Sequence, residues 1–235
     1  MPDTYPLTWD EVGEREYETG VDHVVCYPLN QTTKKYSPGI AWNGITAINE
    51  NPSGAEATAL YADNIKYLEL RSAEQFGLTL EAYMYPPEFA TLDGTAEKEG
   101  LPGVRFGQQK RGTFGLSYRT KLGNDVDGDD HGYKLHLVYG CVVSPSGKNY
   151  TTINDSPEAI TFSWEGTTTP VAVTGHNDLK PVSTIVIDST KLSKAKLAAL
   201  EAKLYGSAGT GGSDASAPEL PLPADLITLL NAVTG

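Results

Sequence analysis

Long apolar runs are missing from this 235-residue chain. The longest, about Leu137–Val143, falls far short of the roughly 20 residues a membrane helix needs. The opening stretch MPDTYPLTWDEVGE has neither a basic region nor an apolar one, so no signal peptide is expected. Synthesis in the cytoplasm, with the chain soluble until it assembles, is the expectation. Cysteine is scarce. Cys26 and Cys141 each sit in an apolar, strand-like run, which suits reduced core thiols better than a disulfide. Basic residues are too few to bind nucleic acid: 18 Lys and Arg stand against 30 Asp and Glu, a net charge of −12. Counterion release needs clustered cations, so DNA would pass such a surface rather than stick to it. The basic stretch Lys110–Arg111, with Arg119 and Lys121, reads as a salt-bridging face for the acidic majority.

Catalytic constellations are also lacking. Gly115-Leu116-Ser117-Tyr118-Arg119 lacks the second glycine of a nucleophile elbow. Gly209-Thr210-Gly211-Gly212 follows no strand and precedes no lysine, so it is not a phosphate loop. His23 and Cys26 fall on opposite faces of a strand, as do His136 and Cys141, which is poor zinc geometry. Asp125, Asp127 and Asp129 alternate as in a calcium loop. The glycine and glutamate such a loop requires are replaced by Asp130 and His136. No enzyme, cofactor or metal site is expected.

Glycine (24), proline (15) and tyrosine (13) are plentiful, and they favour a β-rich architecture with many turns. The central stretch Arg111–Ser144 organises the rest. Leu116, Tyr118 and Thr120 alternate with Ser117, Arg119 and Lys121. Leu135, Leu137, Tyr139 and Cys141 share the parity of a second strand over Tyr133–Val143. Between them Gly123–Gly132 (GNDVDGDDHG) reads as a solvated acidic tip. Further strands are expected at Val21–Leu29, Gly39–Asn49 with a bulge at Gly44, Glu158–Glu165, Pro170–Thr174 and Thr184–Asp188. Ile65–Arg71 and Phe76–Tyr85 are expected to form a hairpin around Ser72–Gln75. Glu50–Ala62 reads as a turn-rich connection and Pro86–Gly94 as a short helix.

Five segments follow: an arm at 1–20, a β-sandwich or barrel domain at 21–190, a helix at 191–206 capped by Ser193, a flexible linker at 207–218, and an apolar arm at 219–235. Leu220, Leu222, Leu226, Ile227, Leu229 and Leu230 give that last arm an apolar surface. It must dock on its own domain or on a neighbouring subunit.

The phrases VDHVVCYP, GIAWNGITAINENPSGAEATALYADNIKYLEL, FGLTLEAYMYPPEFATLDG, GQQKRGTFGLSYRTKLGND, HGYKLHLVYG and INDSPEAITFSWE, in this order, resemble the major tail (tail tube) protein of long-tailed bacteriophages with non-contractile tails. The resemblance spans about Val21 to Ile187. It implies a mainly β, sandwich or barrel tail-tube fold flanked by a helix. It implies hexameric rings stacked through terminal arms and loops into the virion's tail, a tube whose acidic lumen conducts the genome during ejection. The implied partners are further copies of the chain, the tape measure, distal tail and tail terminator proteins, and passing double-stranded DNA, but no membrane. Met1–Gly20, Glu50–Ala62 and Lys180–Gly235 are then the expected inter-subunit elements. Deleting Leu220–Gly235 is expected to weaken stacking, and Asp125, Asp127, Asp129 and Asp130 are candidates for ring-stacking or lumen-facing roles. The alternative is a monomeric β-sandwich that binds carbohydrate or a cell surface through Tyr133, Tyr139 and the acidic tip, with or without calcium.

Overall fold

A computed structural model describes residues 7–153, 155–209 and 215–233. Strand outweighs helix, 42% against 12%, so the chain is mainly β. In chain order the strands are β1 (Tyr17–Pro28), β2 (Ile40–Ala41), β3 (Ile45–Glu50), β4 (Ser53–Gly54), β5 (Ala57–Ala62), β6 (Ile65–Arg71), β7 (Glu74–Gln75), β8 (Gly77–Ala82), β9 (Ala96–Glu97), β10 (Arg105–Phe106), β11 (Phe114–Asn124), β12 (Gly128–Val143), β13 (Phe162–Thr168) and β14 (Thr184–Asp188). The helices are α1 (Phe89–Leu92), α2 (Lys194–Tyr205) and α3 (Pro223–Ala232).

One antiparallel sheet dominates, in the order β2-β1-β11-β12-β13-β8-β3, with β14 added beside the middle of β12, at Lys134–Val138. The stretch expected as one strand over Gly39–Asn49 is broken instead. Gly44 sits at φ +84°, a conformation that favours glycine. The bend lets β2 pair with β1 while β3 pairs with β8 at the far edge. The Tyr83 N–H donates to the Gly44 carbonyl (2.8 Å), and the Trp42 indole N–H donates to the Met84 carbonyl (2.9 Å). The sheet thus curls around a core of Val24, Cys26, Trp42, Leu80, Phe89, Leu116, Val138, Cys141 and Trp164. Aromatic rings meet edge-on there, as with Phe89 and Trp164 at 5.3 Å.

The outer face of β1, β11 and β12 carries a second core: Val25, Tyr27, Leu135, Leu137 and Tyr139 against Leu200 and Leu204 of α2 and Leu226 of α3. The central hairpin is therefore buried on both sides. Its parity is not continuous. Leu135, Leu137 and Tyr139 face the helices, but Cys141 faces the opposite core. Register slips between Phe114↔Cys141 and Leu116↔Val138, and Gly140 lies at φ +64° in this bulge.

The ends of the domain also differ from expectation. Tyr17–Gly20 belongs to β1 rather than to an arm. The linker is stapled at its flanks by the Ser207 and Ser216 backbones, which bond each way at 3.1 and 3.0 Å, while residues 210–214 lie outside the described ones. Beyond it the apolar segment docks on its own chain. Leu220 and Leu226 are buried, Leu222, Leu229 and Leu230 pack against the second core, and Ile227 is half-buried. The Tyr139 hydroxyl donates to the Pro221 carbonyl (3.0 Å), Glu219 N–H to the Lys203 carbonyl (2.9 Å), and Gly39 N–H to the Pro218 carbonyl (2.8 Å).

Candidate assembly surface

Ile65–Arg71 and the following strand do not form a hairpin with each other. They are successive pieces of one limb. β3 pairs with β8, β4 with β7, and β5 with β6, all antiparallel. Together they make one interrupted ribbon that begins at the β8–β3 edge of the sheet and continues past Glu50 and Leu78 into solvent. The segment read as a turn-rich connection, Glu50–Ala62, is its outgoing limb. Gly54 belongs to the joint: at φ +84°, a Cβ there would lie 2.5 Å from the Ala73 carbonyl oxygen.

The tip is a two-residue turn. Asp63 and Asn64 stand at φ +50° and +64° between the paired residues Ala62 and Ile65. Positive φ at both central positions matches the right-handed twist of a two-residue hairpin, and Asp and Asn tolerate it best after glycine. This Asp-Asn pair between two alternating runs is the sequence signal that marks the turn. It was masked by the Gly- and Pro-containing stretch ENPSG upstream.

Cross-strand register sorts the ribbon by polarity. Thr58 pairs with Leu70, Leu60 with Leu68 and Ala62 with Ile65, whereas Ala57 pairs with Arg71, Ala59 with Glu69 and Tyr61 with Lys66. An irregularity at Leu60/Tyr61 leaves Tyr67 out of the pairing. The first set shares one face by alternation, and that face is apolar. The other holds Lys66 and Arg71 against Glu69, the latter pair at 3.2 Å. Leu60, Ile65, Leu68 and Leu70 remain 42, 63, 37 and 55% exposed. A two-stranded ribbon is marginal in water alone, and this one presents its apolar face to solvent.

The other expected site residues are placed as follows. The acidic tip is shorter than expected: Asn124 already pairs with Gly128, and Asp129 and Asp130 lie within β12. Asn124 Oδ1 closes the turn by accepting from the Val126 and Asp127 N–H groups (3.0 and 2.6 Å). Asp125 accepts from the Gly13 N–H (2.9 Å) and faces Arg15 at 3.5 Å, and Asp129 accepts from the Tyr17 hydroxyl (2.8 Å). Asp127 meets His131 at 3.2 Å. Three of the four aspartates thus have protein partners, two of them holding the N-terminal segment. Among the described residues no group of His, Cys, Asp and Glu is placed to hold a metal ion. Leu7, Trp9 and Val12 remain exposed on that segment. Tyr139 is 0% exposed; the Tyr133 hydroxyl donates to Glu201 (2.6 Å), and the Arg119 guanidinium lies over the Tyr133 ring at 4.7 Å.

Scanned against protein-family models and against curated proteins, the chain finds no match in either. Among the described residues no helix is long and apolar enough to cross a membrane.

Proposed function

We propose that this protein is a structural subunit that builds rings, stacked into the tail tube of a long, non-contractile-tailed bacteriophage. The β3–β8 ribbon carries the reading. Among the described residues nothing covers its apolar face, and a neighbouring copy that covers it completes the fold. The ordered sequence phrases between Val21 and Ile187 supply the family, and the antiparallel body flanked by α2 and α3 is compatible with the sandwich-like tail-tube fold. In the assembled tube six copies form each ring, the exposed Leu7–Glu16 segment and the ribbon reach adjacent subunits, and the acidic surface lets DNA slide through. Tape measure, distal tail and terminator proteins are the partners at such a tube's interior and ends.

The test is negative-stain microscopy and light scattering of the purified chain, alone and with tail initiator proteins. Rings or tubes are expected, with Leu60→Glu/Leu68→Glu remaining a folded 25.2 kDa monomer. A wild-type chain that stays monomeric under all these conditions overturns the reading. Tubes of normal appearance from the double variant remove the ribbon from it.

A further inference from the structure

At the root of the ribbon the barrel has a seam. β3 is hydrogen-bonded to β8 alone and β1 to β2 and β11, so no backbone ladder joins β1 to β3. Side chains close the seam where β3 ends at Glu50. The Tyr118 hydroxyl on β11 donates to Glu50 Oε1 (2.5 Å). His136 on β12 stacks on Tyr118, ring centroids 4.6 Å apart and nearly coplanar at 6°. It lies between two carboxylates: Nδ1 is 3.4 Å from Glu50 Oε1, and Nε2 is 3.5 Å from Glu18 Oε1 on β1.

Hydrogen-bond bookkeeping fixes the tautomer. The Thr120 hydroxyl donates its only proton to Glu18 Oε1 (2.5 Å). Thr120 Oγ1 can therefore only accept from His136 Nε2 at 3.0 Å. In a neutral ring the proton is then on Nε2, and Nδ1 is a bare lone pair. Among the described residues Nδ1 has no hydrogen-bond partner; it is buried and faces a carboxylate. A second proton on the ring would turn that mismatch into a charge-assisted contact.

We propose that His136 is a protonation-dependent clasp that fixes the root of the ribbon to the barrel more firmly in mild acid than above neutrality. The charged and titratable groups facing it are Glu18 from β1, Glu50 from β3, Tyr118 from β11, and Lys134 from its own strand, which pairs with Glu18. On β14 the residue opposite is Val186, which carries no charge, and Asp188 lies opposite Lys134. The His136 ring beside it, most of all, and the Tyr118 hydroxyl keep the Glu50 carboxyl below its ordinary range despite burial. At Glu18 burial pushes upward, and Lys134 and Thr120 outweigh it. Both carboxylates therefore stay charged across the range in which histidine ordinarily titrates.

The measurement is the urea midpoint at pH 5.5 and 8.0 for wild type, His136→Gln and Glu50→Gln, with proteolysis between β3 and β5 followed in parallel. Glu50→Gln keeps an acceptor for Tyr118 and so is expected to fold. Wild type should show an unfolding constant about fivefold to tenfold smaller at pH 5.5 than at 8.0, relative to either variant. Nicking near Asn51 should slow in step. Equal pH dependence in wild type and Glu50→Gln, or a wild type that is weaker at pH 5.5, overturns the proposal. Because all readouts use the unassembled chain, they stand apart from whether it forms tubes.

Discussion

Gly140 shows how one residue can divide a strand between two cores. A Cβ there would lie 2.2 Å from the Thr169 carbonyl oxygen, at a φ that L side chains disfavour. Gly140→Ala should cost about 3 kcal/mol and lower the melting temperature by several degrees, measured by calorimetry. The two thiols behave as buried apolar groups. Burial holds the Cys26 thiol well above its usual value and pushes that of Cys141 up to about 12. Neither should react with iodoacetamide at pH 8 in the folded chain, and both should react in urea, as read by mass spectrometry. Asp22 gives an acid-side test. The Arg119 guanidinium, at 2.8 and 3.1 Å, holds its carboxyl below the ordinary range. A depressed carboxylate stabilises the fold above its unfolded pKa and loses that contribution as pH falls through the folded one. Asp22→Asn should therefore be less stable than wild type at pH 6, and the gap should narrow as the pH falls below the ordinary carboxylate range. The residue scale was legible where chemistry is local, as in Ser193, which caps α2 by accepting from the Lys196 N–H. It was not legible at Gly140, because the bulge is set by a partner strand far along the chain.

Among the elements, α3 changes the meaning of the apolar C-terminus. Its leucines complete the core beneath α2, so ending the chain after Pro218 should first destabilise the subunit. Loss of Leu220 and Leu226 burial alone removes about 2 kcal/mol each, and it uncovers Tyr139 and Leu200. Thermal unfolding of the truncated chain should fall well below wild type before any effect on stacking can be read. The helix expected over 191–206 is found as α2, with Leu200 and Leu204 buried and Leu197 packed against the second core. The ribbon was harder. Its limbs alternate clearly, but alternation does not say which limb pairs with which. Only the Asp63-Asn64 turn decides that, and a turn of two residues is easily lost beside a stretch rich in glycine and proline.

For the whole molecule, charge opposes association and exposed apolar surface favours it. With a net charge of −12 per chain, copies repel at low ionic strength. Raising salt from about 20 to 300 mM shortens the Debye length from roughly 20 Å to below 10 Å. Self-association followed by light scattering should therefore increase over that range, and Leu60→Glu/Leu68→Glu should abolish the increase. The β-rich class could be read from composition. The curl of the sheet could not, because it depends on Ile40–Ala41 pairing with β1 while Ile45–Glu50 pairs with β8 at the other end of the strand order.

The ribbon also has a mechanical consequence. Its two limbs are not hung from loops but run on into β3 and β8, and β8 is in turn paired with β13. Hydrogen bonds between antiparallel strands run across the strand axis. A pull on the tip along that axis would load the rungs of those ladders together, in shear, rather than peel them one at a time. Tension arriving at Asp63 would thus be passed through the β8–β13 ladder to the sheet as a unit.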